Sequence, residues 1–163
     1  MRKSKAANAR QVAGGIATWC AFALSPAAAS GQLSVFPVQD LSFGLVQPGV
    51  PEVVLPSQPT RRAEFDVVAG RGTYIVQVTL PASLVSATLG VLPLSFSNTD
   101  GVVEIGRRGK LDSFDPKVPY SFKLNRNDGG AAIYIGGTAV PSPTQQPGLY
   151  SATMTIMITN SGV

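Results

Sequence analysis

The segment of residues 148–159 constrains the fold most, because its apolar and polar residues alternate almost without interruption. Its apolar face would consist of five side chains, those of Tyr150, Ala152, Met154, Ile156 and Ile158. From Ser151 to Thr159 the opposite face would carry serine and threonine side chains, with Met157 as the one exception. A period of two is typical of a β-strand that buries one face. The sequence therefore predicts a half-buried terminal strand, whose outer edge needs a neighbour because proteins rarely leave such an edge bare.

The first 29 residues have the pattern of a secretory signal peptide. Four basic residues come first, Arg2, Lys3, Lys5 and Arg10, and a short apolar run follows over residues 12–24. Residues 25–29 read Ser-Pro-Ala-Ala-Ala, which is a small-residue cleavage pattern. The apolar run is shorter than the roughly 20 residues of a membrane span. We therefore expect cleavage after Ala29 or Ser30, no stable membrane insertion, and export to the periplasm, the cell surface or the medium. Residues 30–163 would form a single domain.

Removal of the signal peptide changes the charge and the inventory of reactive side chains. The whole chain has a formal net charge of +4, but the segment after residue 29 has nine basic and nine acidic residues. This neutral domain lacks the basic balance that indicates nucleic-acid binding. The single cysteine, Cys20, leaves with the signal peptide, and the chain has no histidine. A disulfide framework, a Ser-His-Asp triad, a thiol nucleophile and an ordinary zinc site are thereby excluded.

Short alternating segments bounded by Gly, Pro, Asn or Asp recur along the mature chain. They cover residues 33–43, 53–55, 63–67, 74–80, 92–96, 102–105, 120–124 and 131–135. No segment shows an apolar stripe at helical spacing. Many short strands with frequent turn signals predict an all-β, antiparallel β-sandwich.

The remaining polar residues do not indicate an enzyme or a cofactor. Glu64 and Asp66 are two residues apart on one predicted strand, so we expect both to lie on its solvated face. The oxygen-rich segments 98–101 and 125–130 lack EF-hand spacing and are typical of hairpin turns. The basic residues at 107, 108 and 110 are typical of an exposed hairpin tip or edge strand, where charged side chains oppose aggregation. We therefore predict a non-enzymatic protein without a metal or cofactor.

Four motifs occur in a fixed order along the chain. They are Asp-Leu-Ser-Phe-Gly at residues 40–44, the strand of residues 74–80 before Pro81, Ile-Gly-Gly-Thr at 135–138, and Gly-Leu-Tyr-Ser-Ala-Thr at 148–153. In this order the chain resembles the secreted bacterial proteins grouped as domain of unknown function 4402. It is similar, more distantly, to spore-coat-protein-U-type and other pilin subunits of chaperone–usher fimbriae.

The resemblance implies an immunoglobulin-like, pilin-like sandwich that lacks one strand and receives it from a neighbouring subunit. Its partners would be other fibre subunits and a periplasmic chaperone, and its role would be that of a structural or adhesive subunit of a bacterial surface fibre. The acceptor strand would be the one that carries Tyr150, Ala152, Met154, Ile156 and Ile158. The corresponding donor residues would be Leu33, Val35 and Val38.

Two questions stay open at the level of the sequence. If residues 33–38 donate a strand, residues 40–45 must form the whole first strand of the domain; if they belong to the first strand, no donor remains. The alternative function is a self-contained secreted module that binds a polysaccharide or a host surface. Such a module would use tyrosine rings as sugar platforms. The candidates are Tyr74, Tyr120, Tyr134 and Tyr150.

Overall fold

The computed structural model describes residues 33–106 and 109–162, and this part of the chain is built from strands, turns and loops. The predicted signal peptide and the basic residues at 107 and 108 lie outside the described residues. No helix in the described part is long and apolar enough to cross a membrane. All strand pairs are antiparallel, so the predicted all-β antiparallel class is confirmed.

Thirteen strands follow one another along the described residues. The first seven are β1 Ser34–Gln39, β2 Glu52–Val54, β3 Ala63–Val68, β4 Gly72–Thr79, β5 Ser83–Ser86, β6 Val91–Ser95 and β7 Gly101–Ile105. The last six are β8 Lys110–Phe114, β9 Tyr120–Leu124, β10 Ala131–Ile135, β11 Gly137–Ala139, β12 Tyr150–Ser151 and β13 Thr155–Gly162.

The strands form three sheets. The first sheet has the order β1-β3-β10-β7-β8, the second β12-β5-β6-β11-β2, and the third β13-β4-β9. The chain passes from the first sheet to the second at Gly136, between β10 and β11. It passes between the second and third sheets at two places, residues 80–82 and residues 152–154.

The core consists of two apolar clusters. The larger one joins inner-face residues of the first and third sheets, and Val76, Val103 and Ile133 at its centre are fully buried. The smaller one lies on the second sheet and includes Phe43 and Leu92. Because Phe43 comes from the loop after β1, this loop covers the inner face of the second sheet in place of another strand.

Most strands predicted from alternation are present within one or two residues of their expected ends. Alternation does not predict β5, β8 and β11, because these strands are short or carry few apolar residues. The first strand ends at Gln39, so residues 40–43 of the predicted 33–43 segment are irregular. In this structure residues 34–39, and not residues 40–45, form the first strand.

The prediction of one continuous terminal strand over residues 148–159 is wrong in one respect. The chain forms β12 and β13 with a break at residues 152–154, and Ala152 is exposed and not on a buried face. The break has a physical cause in the neighbouring chain, because β4 ends at Thr79 and Pro81 follows. Proline has no backbone N–H and cannot continue the ladder.

Candidate functional site

Two strand edges on one side of the sandwich have no neighbour among the described residues. β1 pairs only with β3, and β13 pairs only with β4. Each strand therefore has a second edge along which no ladder is formed in this part of the chain. Unpaired edge groups are a template for another strand.

Inner-face side chains along these two edges are incompletely covered. Leu33 and Val35 at β1, and Ile156 in β13, pack against the larger core cluster but remain half-buried. Inner-face residues of the central strands, such as Val67 and Ile133, are 2% and 0% exposed. The core is thus complete at its centre and open along the side where β1 and β13 end the sheets.

The opposite side of the sandwich is closed by aromatic side chains. Phe114 of β8 and Tyr120 of β9 stack with ring centroids 4.9 Å apart, and the turn of residues 115–119 joins the two strands. Phe114 and Phe122 are each 4% exposed. The gap in core coverage is therefore a feature of the β1 and β13 side, and not of every sheet edge.

A groove of about 860 Å³ opens beside the ends of these strands. We use "the groove" for this cavity, whose two walls come from residues 37–48 and residues 145–154. Its floor is mainly apolar and includes Leu41, Phe65, Leu84, Leu92, Leu94 and Met154. Asp40 is the only charged residue among those that line it. The groove thus suits an apolar, uncharged occupant.

The first wall is held in place by Arg61. Its guanidinium donates to the carbonyl oxygens of Ser42 and Phe43, and it forms an ion pair with Glu52 at 2.8 Å. The backbone N–H of Ser42 donates to the carbonyl of Arg61 at 2.8 Å. These bonds satisfy the polar groups of an irregular segment, so the Leu41 and Phe43 side chains can point into the core.

The second wall is held by Tyr150. Its hydroxyl donates to the carbonyl of Gln146 at 2.7 Å and lies 2.7 Å from the side-chain nitrogen of Gln145. The same nitrogen lies 3.1 Å from the carbonyl of Val91. This network ties the loop before β12 to the second sheet, while Leu149 beside it is 94% exposed.

The structure disperses the five predicted acceptor residues over two strands and the break between them. Tyr150 contacts the smaller core cluster, whereas Met154, Ile156 and Ile158 contact the larger one. Ile158 is 9% exposed and is the most buried of the five. Ala152 contributes to the groove wall through an exposed position. All except Ala152 therefore pack against the core.

The three predicted donor residues lie in or next to the domain's own first strand. Val35 pairs with Val67 of β3, and Leu33 precedes the strand and contacts the core. Val38 is 55% exposed at an irregularity between Pro37 and Gln39. A donor role for this segment would require it to leave β3, so that role stays a prediction.

Two of the four tyrosines named as candidate sugar platforms, Tyr74 and Tyr134, are buried. Tyr74 is 1% exposed and Tyr134 is 7% exposed. Tyr134 lies under the guanidinium of Arg62, 3.3 Å from the ring centroid, and its hydroxyl donates to Glu104 at 2.5 Å. Both rings are therefore packed within the domain and offer no exposed face for stacking on a sugar.

We expect Tyr134→Phe to reduce the loss of stability at high pH. Burial and the hydrogen bond to Glu104 raise the pKa of Tyr134 from 10.0 to about 12. Because the folded pKa lies above the unfolded one, this stabilisation is complete below about pH 10 and is lost as the pH rises to about 12. Urea unfolding of the two proteins at neutral pH and between these values tests this. Equal pH slopes for the wild type and the variant would contradict it.

Within residues 33–106 and 109–162, no group of three or more His, Cys, Asp or Glu side chains comes together. Glu64 forms an ion pair with Arg62 at 3.0 Å, and Asp66 is exposed on the same strand. These two carboxylates belong to the outer face of the first sheet, away from the groove.

Sequence reasoning missed the residues that make the groove a cavity. Leu84 comes from β5, which alternation did not detect, and Gln145 comes from a proline-rich loop without a periodic signal. Leu41 and Phe43 were noted only as part of a motif.

A comparison with protein-family models and a comparison with curated proteins found no match to this chain.

Proposed function

We propose that this protein is a secreted, non-enzymatic structural or adhesive subunit of a surface fibre, and that it receives a strand from another subunit. The incoming strand would lie between the free edges of β1 and β13, with its apolar side chains facing the larger core cluster. Recognition of this kind combines main-chain hydrogen bonds with pockets for alternate side chains.

The observation that carries the proposal is the coincidence of two free strand edges with an incompletely covered core. Ile156 illustrates it, because this inner-face side chain packs against the core and is still half-buried. An added strand would cover such side chains and would satisfy the backbone groups along both edges. Full burial of one aliphatic side chain contributes about 1.5–3 kcal/mol.

The lining of the groove also matches the apolar side chains expected of an incoming strand. Its floor is apolar, and Leu45 and Leu149, which also line it, are 91% and 94% exposed. An extended chain with alternating apolar residues fits this surface better than a polar glycan does. Until a neighbouring subunit arrives, the same surface would need a temporary cover, which is the role that a periplasmic chaperone would have.

The experiment compares two neighbouring aspartate substitutions on β13. Ile156→Asp places a charge on the inner face, and Met157→Asp places it on the outer face of the same strand, where Met157 is 55% exposed. We expect the wild type and Met157→Asp to form assemblies that resist mild detergent, and Ile156→Asp to stay monomeric, because a buried charge opposes docking. Gel electrophoresis without boiling measures the assemblies.

Circular dichroism of each monomer shows whether the Ile156→Asp domain still folds. If it does not, Ile156→Ser provides a milder change at the same position. A wild-type protein that remains monomeric and unfolds reversibly on heating would overturn the proposal. Equal assembly by the Ile156 and Met157 variants would overturn the location of the acceptor edge.

A further inference from the structure

The break between β12 and β13 conflicts with the pattern of the sequence. Apolar residues alternate from Tyr150 through Met154 to Ile158, as they would in one unbroken strand. The structure nevertheless has no strand at residues 152–154. A segment whose local pattern favours a strand, and whose surroundings do not provide one, is ready to form it when a partner supplies the missing hydrogen bonds.

The neighbouring chain explains why the strand is interrupted. Thr155 pairs with Thr79, and counting back in this register places Thr153 opposite Pro81. Tyr150 pairs with Ser86, which is shifted by two residues from that register. The ladders on the two sides of the break are therefore out of step, and proline offers no N–H between them.

Residues 152–154 consequently lie outside the ladders on either side of the break. Within residues 33–106 and 109–162, no ladder pair or backbone turn hydrogen bond involves Ala152, Thr153 or Met154. All three residues line the groove. Ala152 and Thr153 are exposed, while Met154 packs against the larger core cluster. A stretch of backbone outside any ladder and an apolar floor thus lie next to each other.

We propose that the docking strand pairs with the backbone of residues 152–154 and converts β12 and β13 into one continuous strand. This inference rests on the proposed function and names the part of the acceptor that forms only on assembly. The docked strand would extend from β13 into the groove, so its buried side chains would be uncharged and apolar. The acceptor edge would grow from the eight residues of β13 by the three residues of the break.

Hydrogen exchange measured by mass spectrometry on the full mature chain tests this inference. We expect the segment of residues 152–154 to exchange rapidly in the monomer, and at least ten-fold more slowly in the assembled protein. The β13 segment provides the internal reference for docking itself. It should also gain protection, because its outer edge pairs with the docked strand.

Proline substitutions provide a second test. Consecutive residues of a strand direct their N–H groups to opposite sides, so either Ala152→Pro or Thr153→Pro removes a donor that faces the docked strand. We expect at least one of them to lower assembly about ten-fold, as the loss of one hydrogen bond implies. Thr153→Ala is the matched control and should assemble normally. The melting temperature of each monomer shows whether it still folds.

The results separate this inference from the proposed function. Protection of both β13 and residues 152–154 on assembly supports it. Protection of β13 without residues 152–154, or normal assembly by both proline variants, overturns it and leaves the proposed function intact. If the wild type does not assemble, or neither segment gains protection, the proposed function fails and this inference fails with it.

Discussion

Replacing Tyr74 by alanine is expected to lower the free energy of unfolding by about 3–5 kcal/mol, the usual loss when a large aromatic side chain is removed from a core. Tyr74 in β4 is 1% exposed, and its ring packs on Phe122 with the centroids 5.8 Å apart. Its hydroxyl donates to the carbonyl of Gly70 at 2.9 Å. Removal of the ring would leave a cavity between the first and third sheets. Urea unfolding followed by circular dichroism measures the loss.

Tyr74→Phe is the matched control, because it keeps the ring and removes only the hydroxyl. It should cost about 1 kcal/mol, the typical contribution of one hydrogen bond. Similar losses for the two variants would show that the hydroxyl, and not the ring, stabilises this region. A loss below about 1 kcal/mol for the alanine variant would contradict the packing seen at β4.

Replacing Gly136 by alanine is expected to destabilise the domain by about 3 kcal/mol or more, at the upper end of overpacking costs. A Cβ at this position would lie 2.3 Å from the carbonyl oxygen of Val54 and 2.8 Å from Cδ of Pro56. The carbonyl belongs to the backbone, and the proline ring is equally unable to rotate away. Thermal unfolding of the variant measures the effect.

The control for Gly136 is Thr138→Ala, two residues further along in β11. Thr138 is half-buried, and its replacement by alanine adds no atom that could collide with the backbone, so this substitution should cost less than about 1 kcal/mol. An unchanged melting temperature for Gly136→Ala would show that the segment around Val54 moves aside readily. In that case Gly136 would not be required for the passage from the first sheet to the second.

Both substitutions act at a distance from the groove but bear on its function. Tyr74 lies on β4, the strand to which β13 is paired, with Asn160 opposite it. Gly136 lies where the chain enters the second sheet, which provides the groove's floor residues Leu92 and Leu94. A loss of assembly in either variant would therefore reflect a lost scaffold, whereas Ile156→Asp changes the acceptor edge itself.

Much of the secondary structure was predictable because alternation is a local property. In β4, Tyr74, Val76 and Val78 are buried, and the residues between them are more exposed. Short strands without this signal escaped detection. β8 has the sequence Lys-Leu-Asp-Ser-Phe, in which a charged residue occupies an alternate position, and only its pairing with β7 identifies it as a strand.

The groove was predictable only in part. The predicted acceptor strand includes residues 150–154, which form part of one of its walls. The opposite wall depends on Arg61, which binds carbonyl groups 18 and 19 residues earlier in the chain. A contact of this kind leaves no periodic pattern in the sequence. It depends on how two loops meet after the sheets have formed.

The sequence by itself determined that the domain is made of antiparallel strands, because side-chain alternation is encoded residue by residue. The tertiary structure decided how those strands are shared among sheets, where the last strand breaks and which edges stay free. Register and edge status depend on partners far away in the chain: the ladder between β4 and β13 ends where Thr155 pairs with Thr79, two residues before Pro81. The terminal segment thus has the pattern of one strand, and its neighbours divide it into two.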